Sequence, residues 1–91
     1  MIKVLLDGAA ITDKTMLHDY LKETMHFPRW YGKNLDALFD CLTDLSEDTV
    51  LFISNHASLQ ENLGLYENRF ERVLMQATER NPHFTVTILR E

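Results

Sequence analysis

The sequence predicts an α/β fold, in which a small three-stranded parallel sheet is packed with about four helices. Three short apolar runs, at residues 2–7, 49–54 and 84–89, have the length and composition of buried strands. Successive runs are separated by stretches that each contain two segments of helical character. Strands joined by long helical connections pair in parallel. With 91 residues, the chain is expected to form one domain over residues 1–91.

Residues at the ends of the first strand and the first helix predict where these elements begin and end. The run IKVLLD ends at Gly8, and Thr12 or Asp13 can then cap a helix by accepting hydrogen bonds from its first turn. This helix must end before Pro28, because proline disfavours the helical conformation in the residue that precedes it. Its expected apolar positions are Leu17, Tyr20, Leu21 and either Thr24 or Met25.

The rest of the chain repeats this pattern. Asn34 can cap a second helix that runs to about Leu45. The β-branched and apolar run TVLFIS predicts the second strand, and HASLQENLG predicts a short helix that Gly64 ends. The segment YENRFERVLMQATER has one apolar face and predicts the last helix. After Pro82, the run FTVTIL predicts the third strand.

The charge of the chain is concentrated in one short segment. The net charge of −5 arises from 14 acidic and 9 basic residues. Between residues 36 and 48 there are five acids and no Lys or Arg, and the rest of the chain is balanced. Nucleic acid is therefore not expected as a partner, because phosphate binding requires a basic face. The pattern favours a cationic partner or a site that mimics a polyanion. The five acids are Asp36, Asp40, Asp44, Glu47 and Asp48.

The second helix separates into faces at about 100° per residue. One arc is apolar and is expected in the core, and Ala37, Cys41 and Asp44 are expected to face away from it. Asp36, Asp40 and Thr43 share a neighbouring arc, with Phe39 at its border. The core arc consists of Leu35, Leu38, Leu42 and Leu45.

Two acids of this helix are unusual in their spacing and surroundings. Like charges at positions i and i+4 destabilise a helix by roughly 0.2–0.5 kcal/mol, and only Asp36 lies in the first turn, where the helix dipole favours an anion. A solvated acidic face is the simplest explanation of Asp36 and Asp40. However, Trp30, Tyr31 and Phe39 flank the pair, and aromatic residues beside charge are typical of interface hot spots.

Several other functions are disfavoured by the sequence. Cys41 has no base near it in sequence and is expected to be a buried or half-buried small hydrophobe, in a reducing compartment. An enzyme that uses Asp36 and Asp40 as acid and base is disfavoured, because both lie on one exposed face without a nucleophile or His in the same motif. No cofactor and no metal are expected, because His18, His26, His56 and His83 lack ligand spacing.

Membrane and secretory segments are not expected either. No apolar run approaches the ~20 residues that span a bilayer. The start MIKVLLDG lacks the features of a signal peptide. We therefore expect a cytoplasmic protein without a membrane partner.

The stretch PRWYGKNLDALFDCLT, residues 28–43, resembles the signature of the barstar family, the intracellular inhibitors of barnase-type ribonucleases. The resemblance extends to the opening strand, the first helix, ENRFERVLMQATE and TVTIL. It implies a three-stranded parallel sheet with four helices. It also implies a cytoplasmic immunity or antitoxin protein that is monomeric when free and forms a 1:1 complex with a secreted or toxin ribonuclease.

The resemblance also implies roles for individual residues. Asp40 matches the principal anion, which stands in for an RNA phosphate, and Asp36 matches its second acid. Trp30 lies where a tyrosine usually packs on the catalytic histidine, and Phe39 replaces a tryptophan. The remaining expected contacts are Tyr31, Gly32, Asn34, Thr43, Asp44 and Glu79. Gly32 is also expected to occupy a turn that requires positive φ.

This chain departs from the family pattern at some positions. Arg29 and Lys33 are basic where the best-known member is acidic, Asp44 replaces a glycine, and Leu45 replaces a tryptophan. These differences leave open whether barnase itself is the target. The alternative is a barstar-fold interaction or regulatory module that binds a cationic protein other than a ribonuclease.

Overall fold

The sheet contains three parallel strands in the order β1-β2-β3, as predicted. In the computed structural model, which describes residues 1–90, the strands are β1 (Ile2–Asp7), β2 (Thr49–Ser54) and β3 (Phe84–Ile88). Ile2 pairs with Thr49, which in turn pairs with Phe84. A last ladder hydrogen bond runs from the amide of Leu89 to the carbonyl of Ile53, at 2.8 Å.

Four α-helices follow the predicted order. They are α1 (Lys14–Thr24), α2 (Leu35–Thr43), α3 (His56–Leu63) and α4 (Leu65–Arg80). Of the two residues proposed as the cap of α1, Asp13 is the one used, and its carboxylate accepts a hydrogen bond from the amide of Met16 at 2.9 Å. Gly64, with φ of 58°, ends α3 and precedes α4. A short 3₁₀ turn at Gly8–Ala10 was not predicted.

The core lies between the helices and one face of the sheet. In β1 the alternate residues Val4 and Leu6 are buried, whereas Lys3, Leu5 and Asp7 are exposed. Of the predicted apolar arc of α2, Leu38 and Leu42 are fully buried, and Leu35 and Leu45 are partly buried against the core. Helix α2 is therefore fixed on its apolar side, and its opposite side faces solvent. No helix within residues 1–90 is long and apolar enough to cross a membrane.

The end of α2 is fastened by a buried asparagine. The side-chain nitrogen of Asn81 donates hydrogen bonds to the carbonyl oxygens of Leu42 and Leu45, at 2.9 and 3.0 Å. Asn81 is 5% exposed, so its buried side-chain nitrogen has hydrogen-bond acceptors where the regular hydrogen bonding of α2 ends. The link fixes the end of α2 relative to the segment that joins α4 to β3.

Of the three glycines, Gly8 lies closest to its neighbours in the fold. A Cβ atom there would overlap the carbonyl oxygen of Asn55 and lie 2.8 Å from the Cβ of Leu59. We expect Gly8→Ala to lower the free energy of unfolding by about 1–3 kcal/mol, measured by urea denaturation. Gly32→Ala is the matched control and should cost less, because its Cβ would meet only side-chain atoms, at 3.2 and 3.3 Å. Wild-type stability in Gly8→Ala would contradict this account of the packing.

Candidate protein-binding site

Three carboxylates follow one another along the exposed side of α2. Asp36, Asp40 and Asp44 are four residues apart, so each lies about one helical turn, or roughly 6 Å, from the next. All three are exposed. Within residues 1–90, the ion pairs of the structure involve other acids, and none includes these three. We refer to Asp36, Asp40 and Asp44 as the acidic face, which carries negative charge without a cation of its own.

The backbone of α2 is held by local hydrogen bonds that leave the acidic face free. Asn34 caps the helix as predicted, since its side-chain oxygen accepts a hydrogen bond from the amide of Ala37 at 2.8 Å. The helix ends at Thr43, close to the predicted Leu45. The hydroxyl of Thr43 donates to the carbonyl of Phe39, at 2.8 Å. Thr43 is half-buried, and its oxygen still has acceptor capacity for a partner.

A groove borders the acidic face on the side of α4. Phe39 is half-buried, as expected for a residue at the edge of the apolar arc, and the guanidinium of Arg80 lies 5.7 Å from the centre of its ring. Gln76 and Glu79 line the same groove. The structure thus brings Glu79 from the end of α4 next to Phe39, although forty residues separate them in sequence.

The loop before α2, residues 28–34, contains two aromatic residues with opposite environments. Trp30 is 84% exposed, whereas Tyr31 is only 6% exposed. The ring of Tyr31 lies 4.9 Å from that of Phe27, centre to centre, within the core. Trp30 can therefore offer its whole side chain to a partner. Tyr31 remains a predicted contact, but its burial favours a supporting role for it, because it holds the loop in place.

The expectation about Gly32 is wrong in one respect. The residue of this loop with positive φ is Lys33, at 53°, and not Gly32. The reason for glycine is space, because a Cβ on Gly32 would lie 3.3 Å from the Cβ of Ala37. Gly32 therefore allows the loop to pack closely against the first turn of α2.

One of the two basic residues in this loop, Lys33, forms an ion pair with a residue of α1. The ammonium of Lys33 lies 2.6 Å from a carboxylate oxygen of Asp19, and both side chains are about half exposed. Such an exposed pair contributes little to stability. The ion pair does, however, hold the ammonium group of Lys33 beside Asp19.

The prediction that Ala37 and Cys41 face away from the core is also wrong. Both are partly buried and pack against the core. Gly32 of the loop lies against Ala37, and Tyr31 lies near Cys41, so the loop covers that side of α2. Burial, together with the nearby charges of Asp40 and Asp44, raises the pKa of the Cys41 thiol. The thiol is therefore neutral at physiological pH, and the prediction of a half-buried small hydrophobe is confirmed.

The loop is fastened to two helices by a buried histidine, which the sequence did not reveal. His18 on α1 is 1% exposed, and its Nδ1 lies 2.6 Å from the hydroxyl of Tyr31. Its Nε2 lies 2.7 Å from the hydroxyl of Tyr66 on α4. A neutral imidazole has one donor and one acceptor nitrogen, so one tyrosine accepts a hydrogen bond and the other donates one. His18 thus links α1, the loop and α4.

We expect His18 to make the folded protein less stable as the pH falls. Burial, with help from Lys14 and Lys33 and against the effect of Asp19, lowers the pKa of His18 below its ordinary 6.5. The unfolded chain then takes up a proton at a higher pH than the folded chain does. The contribution of neutral His18 to the free energy of unfolding is fully present above the pKa of this residue in the unfolded chain. It decreases as the pH falls below that value, by at most about 1.4 kcal/mol per pH unit.

This pH dependence can be measured with the variant His18→Gln. Urea unfolding of the wild type and the variant between pH 5 and pH 8 gives the difference in their stability at each pH. The effects of other titrating groups cancel in this difference. The stability of the wild type relative to that of the variant should therefore decrease as the pH falls, because only the wild type contains His18. A difference that is constant across the range would contradict the prediction.

A second cluster of polar side chains, from residues that are separated in sequence, was also not predicted. Nε2 of His56 lies 3.3 Å from Oε2 of Glu67 and 3.0 Å from Oε2 of Glu71. Burial, and then the neighbouring Glu71, raise the pKa of Glu67 to about 7. Burial opposes ionisation of His56 and Glu71 too, but their mutual contacts raise the pKa of His56 and lower that of Glu71. None of the three belongs to the predicted partner contacts.

The fold and the surface of α2 together define a class: small α/β proteins with three parallel strands and four helices that present an acidic helix beside an exposed aromatic loop. Residues 1–89 match the family described as Barstar (barnase inhibitor). The chain belongs to the barstar family.

A curated relative points in the same direction. The protein named putative ribonuclease inhibitor YrdF, from Bacillus subtilis (strain 168), is 38% identical to this chain over 80 residues. The matched region covers 87% of this chain and 88% of that protein. A match of that length in a chain of 91 residues necessarily includes α2 and β2.

Proposed function

We propose that this protein inhibits a barnase-like ribonuclease by inserting the acidic face of α2 into the enzyme's active site. Its membership of the barstar family and its similarity to a protein named as a ribonuclease inhibitor support the inhibitory role. The observation that carries the mechanism is that Asp36 and Asp40 are exposed and have no ion-pair partner within residues 1–90. They are available to the cations of another protein.

The chemistry of the proposed target explains why carboxylates suit this task. A ribonuclease active site contains cationic side chains that bind phosphates. A carboxylate can accept the same charge-assisted hydrogen bonds, and it contains no phosphodiester bond that the enzyme could cleave. Asp40 takes the place of the principal phosphate in this mechanism, and Asp36 accompanies it one turn earlier.

The rigidity of the helix lowers the cost of binding. Asn34 fixes the start of α2 and Asn81 fixes its end, so the carboxylates are held at a set spacing before the enzyme arrives. Less side-chain and backbone freedom is then lost on association. Repulsion along the acidic face in the free protein is relieved when cations approach it.

The surrounding residues supply contact area and orientation. Trp30 packs on the catalytic histidine of the enzyme, Phe39 and Glu79 contact it from the groove beside α4, and Thr43 and Asp44 extend the contact along the helix. Gly32 and Asn34 let the loop approach closely, with Tyr31 as its anchor. In the cell, the protein acts in the cytoplasm as a monomeric immunity protein or antitoxin, and it forms a 1:1 complex with a secreted or toxin ribonuclease.

An inhibition assay tests this function. The purified protein is added at low ionic strength to barnase, and separately to any small nuclease encoded beside its gene, and RNA cleavage is followed. We expect stoichiometric inhibition of at least one enzyme, with association that slows as salt is added, because salt screens the acidic face. The absence of inhibition of all of them would reject the proposal.

The alternative function keeps the acidic face but changes the partner. The same unpaired carboxylates would suit a cationic protein that is not a ribonuclease. In that case the assay above would show no inhibition, whereas a column carrying the protein would retain a basic partner that is released by salt and is not retained by Asp40→Ala. The family membership favours the ribonuclease.

A further inference from the structure

The cluster of His56, Glu67 and Glu71 lies outside the predicted binding surface and has a property that hydrogen bonding does not explain. Glu67 is fully buried, and its Oε1 atom has no hydrogen-bond partner within residues 1–90. A buried carboxylate oxygen without a partner is costly and rare. The other oxygen, Oε2, faces the imidazole of His56. The buried carboxylate of Glu67 is therefore under-compensated, and a cation bound to it would offset the cost of burying its charge.

The arrangement of the three side chains suits a metal ion. One donor atom from each residue lies within 4.8 Å of the other two. The distances from Nε2 of His56 to the two carboxylates, 3.3 and 3.0 Å, are close to the edge of a zinc coordination tetrahedron. With Zn–N and Zn–O bonds of about 2.0–2.2 Å, that edge is about 3.3–3.5 Å.

The elements that carry these residues position them without rearrangement. Glu67 and Glu71 are four residues apart on α4, so both project from the same side of the helix. His56 is the first residue of α3, which packs against α4. A bound ion would therefore connect the start of α3 to the first two turns of α4.

The site is reachable from solvent. The side chains of His56 and Glu71 are 22% and 28% exposed, whereas Glu67 lies beneath them. A surface groove lined by His56, Ala57, Ile88, Leu89 and Arg90 opens beside the cluster. An ion can enter from this groove and keep a water molecule as its fourth ligand.

We infer that His56, Glu67 and Glu71 form a binding site for a divalent transition metal, with Zn²⁺ as the best fit. One imidazole nitrogen and two carboxylate oxygens are typical ligands of Zn²⁺, whereas Mg²⁺ and Ca²⁺ prefer six or more oxygen ligands. Binding requires neutral imidazole and ionised carboxylates, so Zn²⁺ displaces any proton that His56 or Glu67 holds. The inference does not depend on the proposed ribonuclease inhibition.

Calorimetric titration of the full chain with ZnCl₂ at pH 7.5, after removal of metal by a chelator, tests the site. We expect one Zn²⁺ per chain, and at least tenfold weaker binding in His56→Gln and in Glu71→Gln. Both altered side chains are partly exposed, so these variants should fold, which circular dichroism checks. Zinc should also raise the melting temperature of the wild type but not that of His56→Gln.

Two control variants separate this site from incidental binding. His83→Gln removes another imidazole, whose Nδ1 lies 2.8 Å from Asp48, and Cys41→Ser removes the thiol. Both should bind zinc like the wild type. The inference is overturned by an absence of zinc binding, by wild-type affinity in His56→Gln and Glu71→Gln, by loss of binding in either control, or by a preference for Mg²⁺ over Zn²⁺.

Discussion

Asp40→Ala will weaken the complex with the target ribonuclease by about 3–5 kcal/mol, a hundredfold or more in affinity, because the enzyme's cations will lose their buried partner. The free energy of unfolding of the same variant will be unchanged or will rise. Asp40 is exposed and has like charges at Asp36 and Asp44, one turn away on either side. Relief of each repulsion is worth roughly 0.2–0.5 kcal/mol. The affinity for the ribonuclease should therefore fall with no loss of folding stability.

The measurement is a pair of titrations on one protein preparation. Calorimetry or surface plasmon resonance gives the affinity for the inhibited ribonuclease, and urea denaturation gives the stability. Glu47→Ala is the matched control, since Glu47 is an exposed acid of the same segment that lies beyond the end of α2. It should alter affinity by less than tenfold. Equal losses of affinity in Asp40→Ala and Glu47→Ala would show that only net charge matters.

Trp30→Ala will have the second largest effect on binding, a loss of about 2–4 kcal/mol. Its side chain is 84% exposed in the free protein, so a partner can cover nearly all of it. Exposed tryptophans that become fully buried are typical of interface hot spots. The stability of the free protein should change by no more than about 0.5 kcal/mol, because the side chain is mostly surrounded by water.

A second exposed apolar residue provides the control for Trp30. Leu5 is 52% exposed but lies on β1, away from the loop and α2. Leu5→Ala should leave the affinity for the ribonuclease unchanged. If Trp30→Ala also leaves it unchanged, the loop before α2 does not contribute to the interface, and the contact must be confined to the helix itself.

Much of the fold could be predicted because its elements carry local signals. Short apolar and β-branched runs predicted the strands, and the candidate caps, Thr12 or Asp13 for α1 and Asn34 for α2, predicted the helix starts to within about a residue. The exposure of Asp36 and Asp40 followed from helical periodicity alone, since Leu38 and Leu42 had to be buried on the other side. These features depend on a few neighbouring residues.

The features that could not be predicted depend on the path of the chain in three dimensions. Neighbouring Trp30 and Tyr31 have similar side chains, and only the course of the loop decides that Tyr31 is buried beside His18. Similarly, His56 is separated from Glu67 by eleven residues, and the turn at Gly64 brings them together. No spacing rule for metal ligands would have grouped them.

Competition for the ribonuclease active site tests the central claim most directly. With the ribonuclease that the protein inhibits, the affinity of the protein is measured in the presence of increasing concentrations of a nucleotide product that occupies the phosphate sites. If the acidic face takes the place of RNA phosphate, the apparent dissociation constant will rise in proportion to nucleotide concentration. An apparent dissociation constant that stays the same at saturating nucleotide would mean that the protein binds elsewhere on the enzyme, which would contradict the account.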